Sequence, residues 1–171
     1  MSGQSQLYVM TKPPPPVRRL LCGCRSAHGL HERYPPDRLH CTMLWLGNYD
    51  AWSPSQLERL RWEFGEIRFD PFEVRFERLE GRLLRGREGM AAPALFHRIL
   101  RRHAMTCGVP LPAHEFRLHL SLAYDGPALT GTRKIDPIGW LVEEFLLIRS
   151  HRGHEELGRW PLIERQHALA L

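Results

Sequence analysis

Two ten-residue stretches carry the residue types of proton-transfer chemistry at one and the same spacing. "RLHCTMLWLG" runs from Arg38 to Gly47, and "RLHLSLAYDG" runs from Arg117 to Gly126. Each gives Arg, Leu and His in order, a hydroxyl residue two places after the His, an aromatic three further on, and a closing Gly. The repeated pairs are His40 with Thr42 and His119 with Ser121. On a strand, alternate side chains share a face, so each imidazole has a hydroxyl about 7 Å along the same side. Leu39, Cys41, Met43 and Trp45 then occupy the opposite face of the first strand, and Leu118, Leu120, Leu122 and Tyr124 that of the second. Those apolar faces are expected in the core, Trp45 and Tyr124 included. A one-residue slip would bury both histidines and expose the apolar set, so the register should be firmly held.

If an approximate two-fold axis relates the strands, their polar faces meet in one shared cleft with two imidazoles and two hydroxyls. Such a set suits in-line displacement at phosphorus. A neutral imidazole accepts a proton from the incoming nucleophile while an imidazolium donates one to the leaving oxygen. The hydroxyls of Thr42 and Ser121 can donate to the non-bridging phosphate oxygens. This chemistry requires no metal, no carboxylate cluster accompanies the pair, and neither a metal nor a cofactor is expected. A lone strand histidine is ordinarily a satisfied structural residue. Two with matched flanks ask for more, since apolar residues would pack as well.

The other histidines carry less. His151 and His154 in "SHRGHEELG" have the spacing of a metal pair, but no acid or Cys set joins them. His28, His31, His97, His103, His114 and His167 read as surface or helix residues. Cys22 and Cys24 form a C-x-C pair with no second pair at zinc-site spacing, so all four cysteines are expected as reduced thiols.

The elements that must hold these strands can be read from periodicity. Gln6–Lys12 is a short strand stopped by Pro13–Pro16, a run that favours an extended linker. Val17–His28 reads as a helix through Val17, Leu20, Leu21 and Cys24. Ser53, Pro54 and Gln56 form a helix start with a capping box, and Gly65 ends that helix. Phe72–Leu79 alternates as a strand up to Gly81, and "RLLRGREGMAA" holds a short hairpin partner. Pro93–Cys107 is a helix, and a loop from Asp125 to Asp136 follows the second motif. Ile138–Ser150 reads as one strand and "GRWPLIE" as a last edge strand. The order is β-α-β-α-β-β-α-β-β-β, with a helix ahead of each H-x-[T/S] strand.

With 171 residues, 43% hydrophobic and 25% charged, the chain reads as a single soluble domain over 1–171, its motifs near 38–47 and 117–126. No apolar run is long enough for a membrane span and the start lacks a secretory pattern, so a cytoplasmic monomer is expected. The net charge of +5 is almost all Arg, since Lys occurs only at Lys12 and Lys134. Arg matches phosphate well, yet a charge this modest decides little by itself.

"HCTM" at His40–Met43 and "HLSL" at His119–Leu122 resemble the paired H-x-[T/S]-hydrophobic motifs of the 2H phosphoesterase superfamily. Within it, the chain most resembles the bacterial 2′-5′ RNA ligases, also called RNA 2′,3′-cyclic phosphodiesterases. "WLVEEFLLIRS" and the terminal "GRWPLI" look like the C-terminal strands of that family. The resemblance implies an α+β, bilobal, pseudo-two-fold fold, with two antiparallel sheets lining a central cleft and helices packed outside. It also implies metal-independent opening of a terminal 2′,3′-cyclic phosphate on RNA to a 2′-phosphomonoester, with reversible 2′-5′ ligation. By matching positions, His119 would activate water, His40 would protonate the departing 3′ oxygen, and Thr42 and Ser121 would hold the phosphate. Partners would be RNA ends with a 2′,3′-cyclic phosphate, or small cyclic nucleotides. A 2′-5′ oligonucleotide phosphodiesterase and a catalytically silent RNA-binding module are the rival readings. The chain departs from the pattern at Ala123 and Tyr124, where several relatives carry Arg. Arg38, Arg117 or Arg149 would then supply the phosphate-neutralising charge.

Overall fold

The computed structural model describes residues 3–164, so His167 lies outside the described residues. The strands are β1 (Gln6–Thr11), β2 (Cys41–Asn48), β3 (Phe72–Glu80), β4 (Leu83–Gly86), β5 (His119–Ser121), β6 (Thr132–Val142), β7 (Glu144–Ser150) and β8 (His154–Pro161). Three helices interrupt them: α1 (Pro15–Ala27), α2 (Pro54–Gly65) and α3 (Ala91–Met105). Two four-stranded antiparallel sheets result, in the orders β2-β1-β7-β8 and β5-β4-β3-β6. The units β1-α1-β2 and β4-α3-β5 correspond. In each, a helix follows a strand and returns the chain as an H-x-[T/S] strand beside the first, at a sheet edge. This is the α+β two-sheet architecture with internal pseudo-symmetry.

The element order matches the sequence expectation except at one place. Ile138–Ser150 is two strands in different sheets: β6 pairs with β3, while β7 pairs with β1 and β8. The crossing at Glu143, whose carbonyl accepts from Leu162 N at 2.7 Å, has no Gly or Pro to mark it. Val142 and Phe145 on either side are both buried at 1% exposure, so the chain stays against the core on both sides of Glu143 and Glu144 although its ladder partners change. β6 also begins earlier than expected, at Thr132, and carries Pro137. A proline fits there because β6 is an edge strand.

Helix starts obey local chemistry. Ser53 Oγ accepts from Gln56 N at 3.2 Å, Gln56 Oε1 accepts from Ser53 N at 2.9 Å, and Pro54 opens α2. The four-proline run is only half a linker, because Pro15 and Pro16 form the first turn of α1. Amides there have no intrahelical acceptor, so proline loses nothing. On α1, Val17 and Leu21 are buried as expected, but Leu20 is exposed and Arg25 takes the inner face. Its Nη1 donates to Tyr34 O at 2.8 Å.

One core joins both sheets. Phe96 of α3 is fully buried, with ring centroids 5.1 Å from Phe69, 5.3 Å from Phe72 of β3, and 5.3 Å from Phe145 of β7. His97, expected on a helix surface, is buried as well. Its Nδ1–H donates to Met43 O at 2.7 Å, and its ring stacks on Phe116 at 4.8 Å. A smaller cluster of Met10, Leu146 and Ile148 lies apart, with Tyr8 packed against it.

The closing glycine of each motif has a structural reason. Gly47 has φ +85° and Gly126 has φ +76°, a region that costs other L-residues about 1–2 kcal/mol. A Cβ on Gly126 would also lie 2.7 Å from His31 Cγ. Gly126→Ala should therefore destabilise the protein by about 1–2 kcal/mol in urea titration, with an unchanged m-value. An unchanged midpoint would show that the backbone relaxes at no cost.

Candidate active site

The two motifs meet. His40, Thr42, His119 and Ser121 all line one open cleft of ≈ 570 Å³. β2 edges one sheet and β5 the other, and the cleft is walled further by β1 and the β7–β8 turn. The apolar face opposite is core as expected, with Leu39, Cys41, Met43, Leu120 and Leu122 all buried.

Both histidines are held in the same way. His40 Nδ1 lies 2.7 Å from Arg38 O, and His119 Nδ1 lies 2.9 Å from Arg117 O. A carbonyl can only accept, so in each ring the Nδ1 carries the proton and the neutral form keeps its lone pair on Nε2. The residue two before each histidine thus sets the tautomer through its main chain, whatever its side chain. The Arg38 carbonyl also accepts from Tyr34 Oη at 3.0 Å.

The electrostatics of the His40 side are those of a desolvated wall. Burial pushes the His40 pKa down from 6.5 to about 4, helped by Lys12 and His119 and opposed by the bond to Arg38 O. His154, on the first position of β8, meets His40 edge to face with ring centroids 5.0 Å apart. Burial, then His40, Lys12 and Arg38, lower its pKa to about 4 as well. Both rings are therefore neutral near pH 7.

Two aromatic residues stand where strand alternation does not put them. Trp45 and Tyr124 line the cleft rather than the core. In β2 the pairs Met10↔Thr42 and Val9↔Leu44 leave Met43 as an extra, bulged residue. The bulge reverses the parity beyond it, so Thr42 and Trp45 share a face although three positions separate them. His97 fastens this bulge by donating to Met43 O. Trp45 Nε1 donates to Gln6 Oε1 at 3.0 Å. In the second motif β5 ends at Ser121, so nothing maintains alternation as far as Tyr124. Its ring is exposed and tilted on Tyr34 at 4.6 Å.

Three further histidines, His114, His151 and His154, line the same cleft, so five of the ten histidines do so. In sequence, His114 reads as a surface residue, and His151 and His154 as an unpartnered turn pair. Only the pairing Ser150↔His154 in the β7–β8 hairpin brings the last of these to His40. Of the three arginines considered for phosphate, only Arg38 lines the cleft. Its Nη2 donates to Arg152 O at 3.2 Å, and Arg152 is a second cleft arginine. Arg117 pairs with Glu115 at 3.5 Å, and Arg149 covers the Tyr49 ring at 4.3 Å. Among the described residues no helix is long and apolar enough to cross a membrane.

Two sheets, corresponding β-α-β units and a cleft at their junction make a LigT-like fold, and solved structures match it over nearly the whole chain. E. coli LigT complexed with 3′-AMP matches with a TM-score of 0.74 and 22% identity, over 94% of this chain and 99% of that one. E. coli LigT complexed with phosphate gives 0.71 and 22%, over 95% and 100%. A protein of Thermus thermophilus gives 0.67 and 17%, over 94% and 99%. No family model and no curated protein matches the chain.

Proposed function

We propose that this chain is a metal-independent phosphodiesterase that hydrolyses 2′,3′-cyclic phosphate ends of RNA to 2′-phosphomonoesters, with reversible 2′-5′ ligation when an RNA 5′ hydroxyl takes the place of water as the nucleophile. The observation that carries this reading is the pair of equivalent half-sites. Each supplies one imidazole with its Nε2 lone pair free and one hydroxyl, in a single cleft. The fold it shares with LigT, which binds 3′-AMP and phosphate, supports a nucleotide phosphate as the occupant.

In the reaction, water attacks phosphorus in line with the P–O3′ bond. His119 Nε2 takes the proton of the water, the P–O3′ bond breaks, and His40 in its imidazolium form gives a proton to O3′. Thr42 and Ser121 donate to the non-bridging oxygens. The product holds phosphate on O2′ and a free 3′ hydroxyl. Water and the cyclic diester account for every atom, and the two histidines end with exchanged protonation. The opposite order of roles is favoured by burial, which lowers the His40 pKa and keeps its ring neutral near pH 7.

Proton linkage distinguishes the two orders. A bound anion near Nε2 stabilises the imidazolium, so with His40 as the acid its pKa must rise on binding from about 4. Binding then takes up a proton, and affinity grows as pH falls from the bound pKa towards the free one. Sulfate, which does not titrate in this range, should be titrated at pH 6 in buffers of different ionisation enthalpy. Net proton uptake that disappears in His40→Ala is expected. Uptake of no proton assigns His40 the role of base.

The reading as a whole is tested by incubating the purified protein, with EDTA present, with a short RNA ending in a 2′,3′-cyclic phosphate. Formation of the 2′-phosphomonoester is expected. No turnover of the RNA overturns the reaction. Turnover confined to free cyclic mononucleotides moves the substrate to that smaller class.

A further inference from the structure

The two-histidine scheme leaves His154 unused, yet its geometry differs from the other two in an informative way. It begins β8 opposite Ser150 and meets His40 edge to face at 5.0 Å, in the same cleft wall. Its Nδ1 is buried with no hydrogen-bond partner among the described residues. A proton there would be a buried donor with nothing to receive it, whereas an unused lone pair is the smaller loss. The neutral ring therefore carries its proton on Nε2, the nitrogen left to the cleft. His40 and His119 have the reverse tautomer, fixed by the Arg38 and Arg117 carbonyls. The cleft thus offers two acceptor nitrogens and one donor.

A donor of this kind matches phosphate, whose non-bridging oxygens only accept. Arg38, the neighbouring cation of the wall, has one Nη committed to Arg152 O.

We propose that His154 is a substrate-binding residue of this site, its Nε2–H donating to a non-bridging oxygen of the bound nucleotide phosphate from the His40 side. The proposal rests on the reading that the cleft takes a nucleotide phosphodiester. It assigns the β7–β8 hairpin a direct share in phosphate recognition.

Two variants of the full chain separate this from a packing role. His154→Phe keeps a ring against His40 and removes the donor. His154→Gln gives up the ring and returns an amide N–H near the position of Nε2. Binding of 3′-AMP by calorimetry and kcat and KM on the cyclic-phosphate RNA are measured for both, with thermal midpoints alongside. Loss of the donor should weaken 3′-AMP about tenfold in His154→Phe, and Gln should recover a good part of it. The opposite ranking, with Phe tolerated and Gln impaired, overturns the proposal, as does unchanged affinity in both. A long-range proton–nitrogen NMR spectrum of the unaltered protein adds a test that needs no variant. It should show Nε2–H at His154 against Nδ1–H at His40, and an Nδ1–H tautomer at His154 overturns the proposal. If 3′-AMP binding follows the expected ranking while the RNA is not turned over, His154 keeps its assignment and the proposed reaction falls. Failure of the unaltered protein to bind 3′-AMP overturns the proposal itself.

Discussion

Alanine at His119 or at His40 is expected to lower kcat/KM for a 2′,3′-cyclic phosphate RNA end by about 10²–10⁴-fold each, the usual worth of one positioned proton transfer. The effect follows from geometry that both half-sites share. Each ring is anchored through Nδ1 to a main-chain carbonyl at 2.7 or 2.9 Å, so Nε2 is the nitrogen directed to substrate. Water can replace neither the position nor the matched pair of protonation states. The two losses should not multiply, because an acid without its base leaves the same stalled displacement. The double variant should therefore fall little below the worse single one. Thermal midpoints close to the unaltered protein are needed for His119→Ala, whose ring is exposed to the cleft. If each single variant kept its rate, a two-histidine mechanism would be wrong even with activity present.

The largest effect on stability is expected at Phe96→Ala. This ring is fully buried and touches aromatic partners from both sheets, Phe72 on β3 and Phe145 on β7, as well as Phe69. Truncation removes the transfer energy of the ring and leaves a void whose walls belong to different sheets, which cannot collapse together without moving the cleft. The cost should be about 3–5 kcal/mol by denaturant titration. At this chain length that is a fall of roughly 6–20 °C in Tm. A loss below about 1 kcal/mol would show that the sheets repack independently, and the picture of one shared core would have to be abandoned.

The site is legible in the sequence because two strands repeat a pattern whose period is 2. His40, Thr42, His119 and Ser121 follow from that period alone, and all four reach the cleft. What the pattern misses lies where the period breaks. Alternation alone puts Trp45 in the core, because the bulge at Met43 is a property of pairing with β1, invisible in β2 itself. It puts Tyr124 there too, by extending a strand only three residues long by three more. His154 comes from a hairpin that pairs far from either motif, so no local spacing could connect it to His40. The break between β6 and β7 is hidden for a related reason. Both faces of β7 are buried, and an apolar run gives no sign of which ladder it belongs to. Helix positions fare better, since Ser53, Pro54 and Gln56 act within one turn and need no partner elsewhere.

The crossing at Glu143 bears on how the molecule comes into being. The sheet β5-β4-β3-β6 is drawn from the uninterrupted segment 72–142, whereas β2-β1-β7-β8 combines the first strands made with the last. During synthesis, β1 and β2 lack their neighbour until β7 emerges to pair with β1, and β8 then pairs with β7. The wall that carries His40 is complete only once the β7–β8 hairpin has left the ribosome.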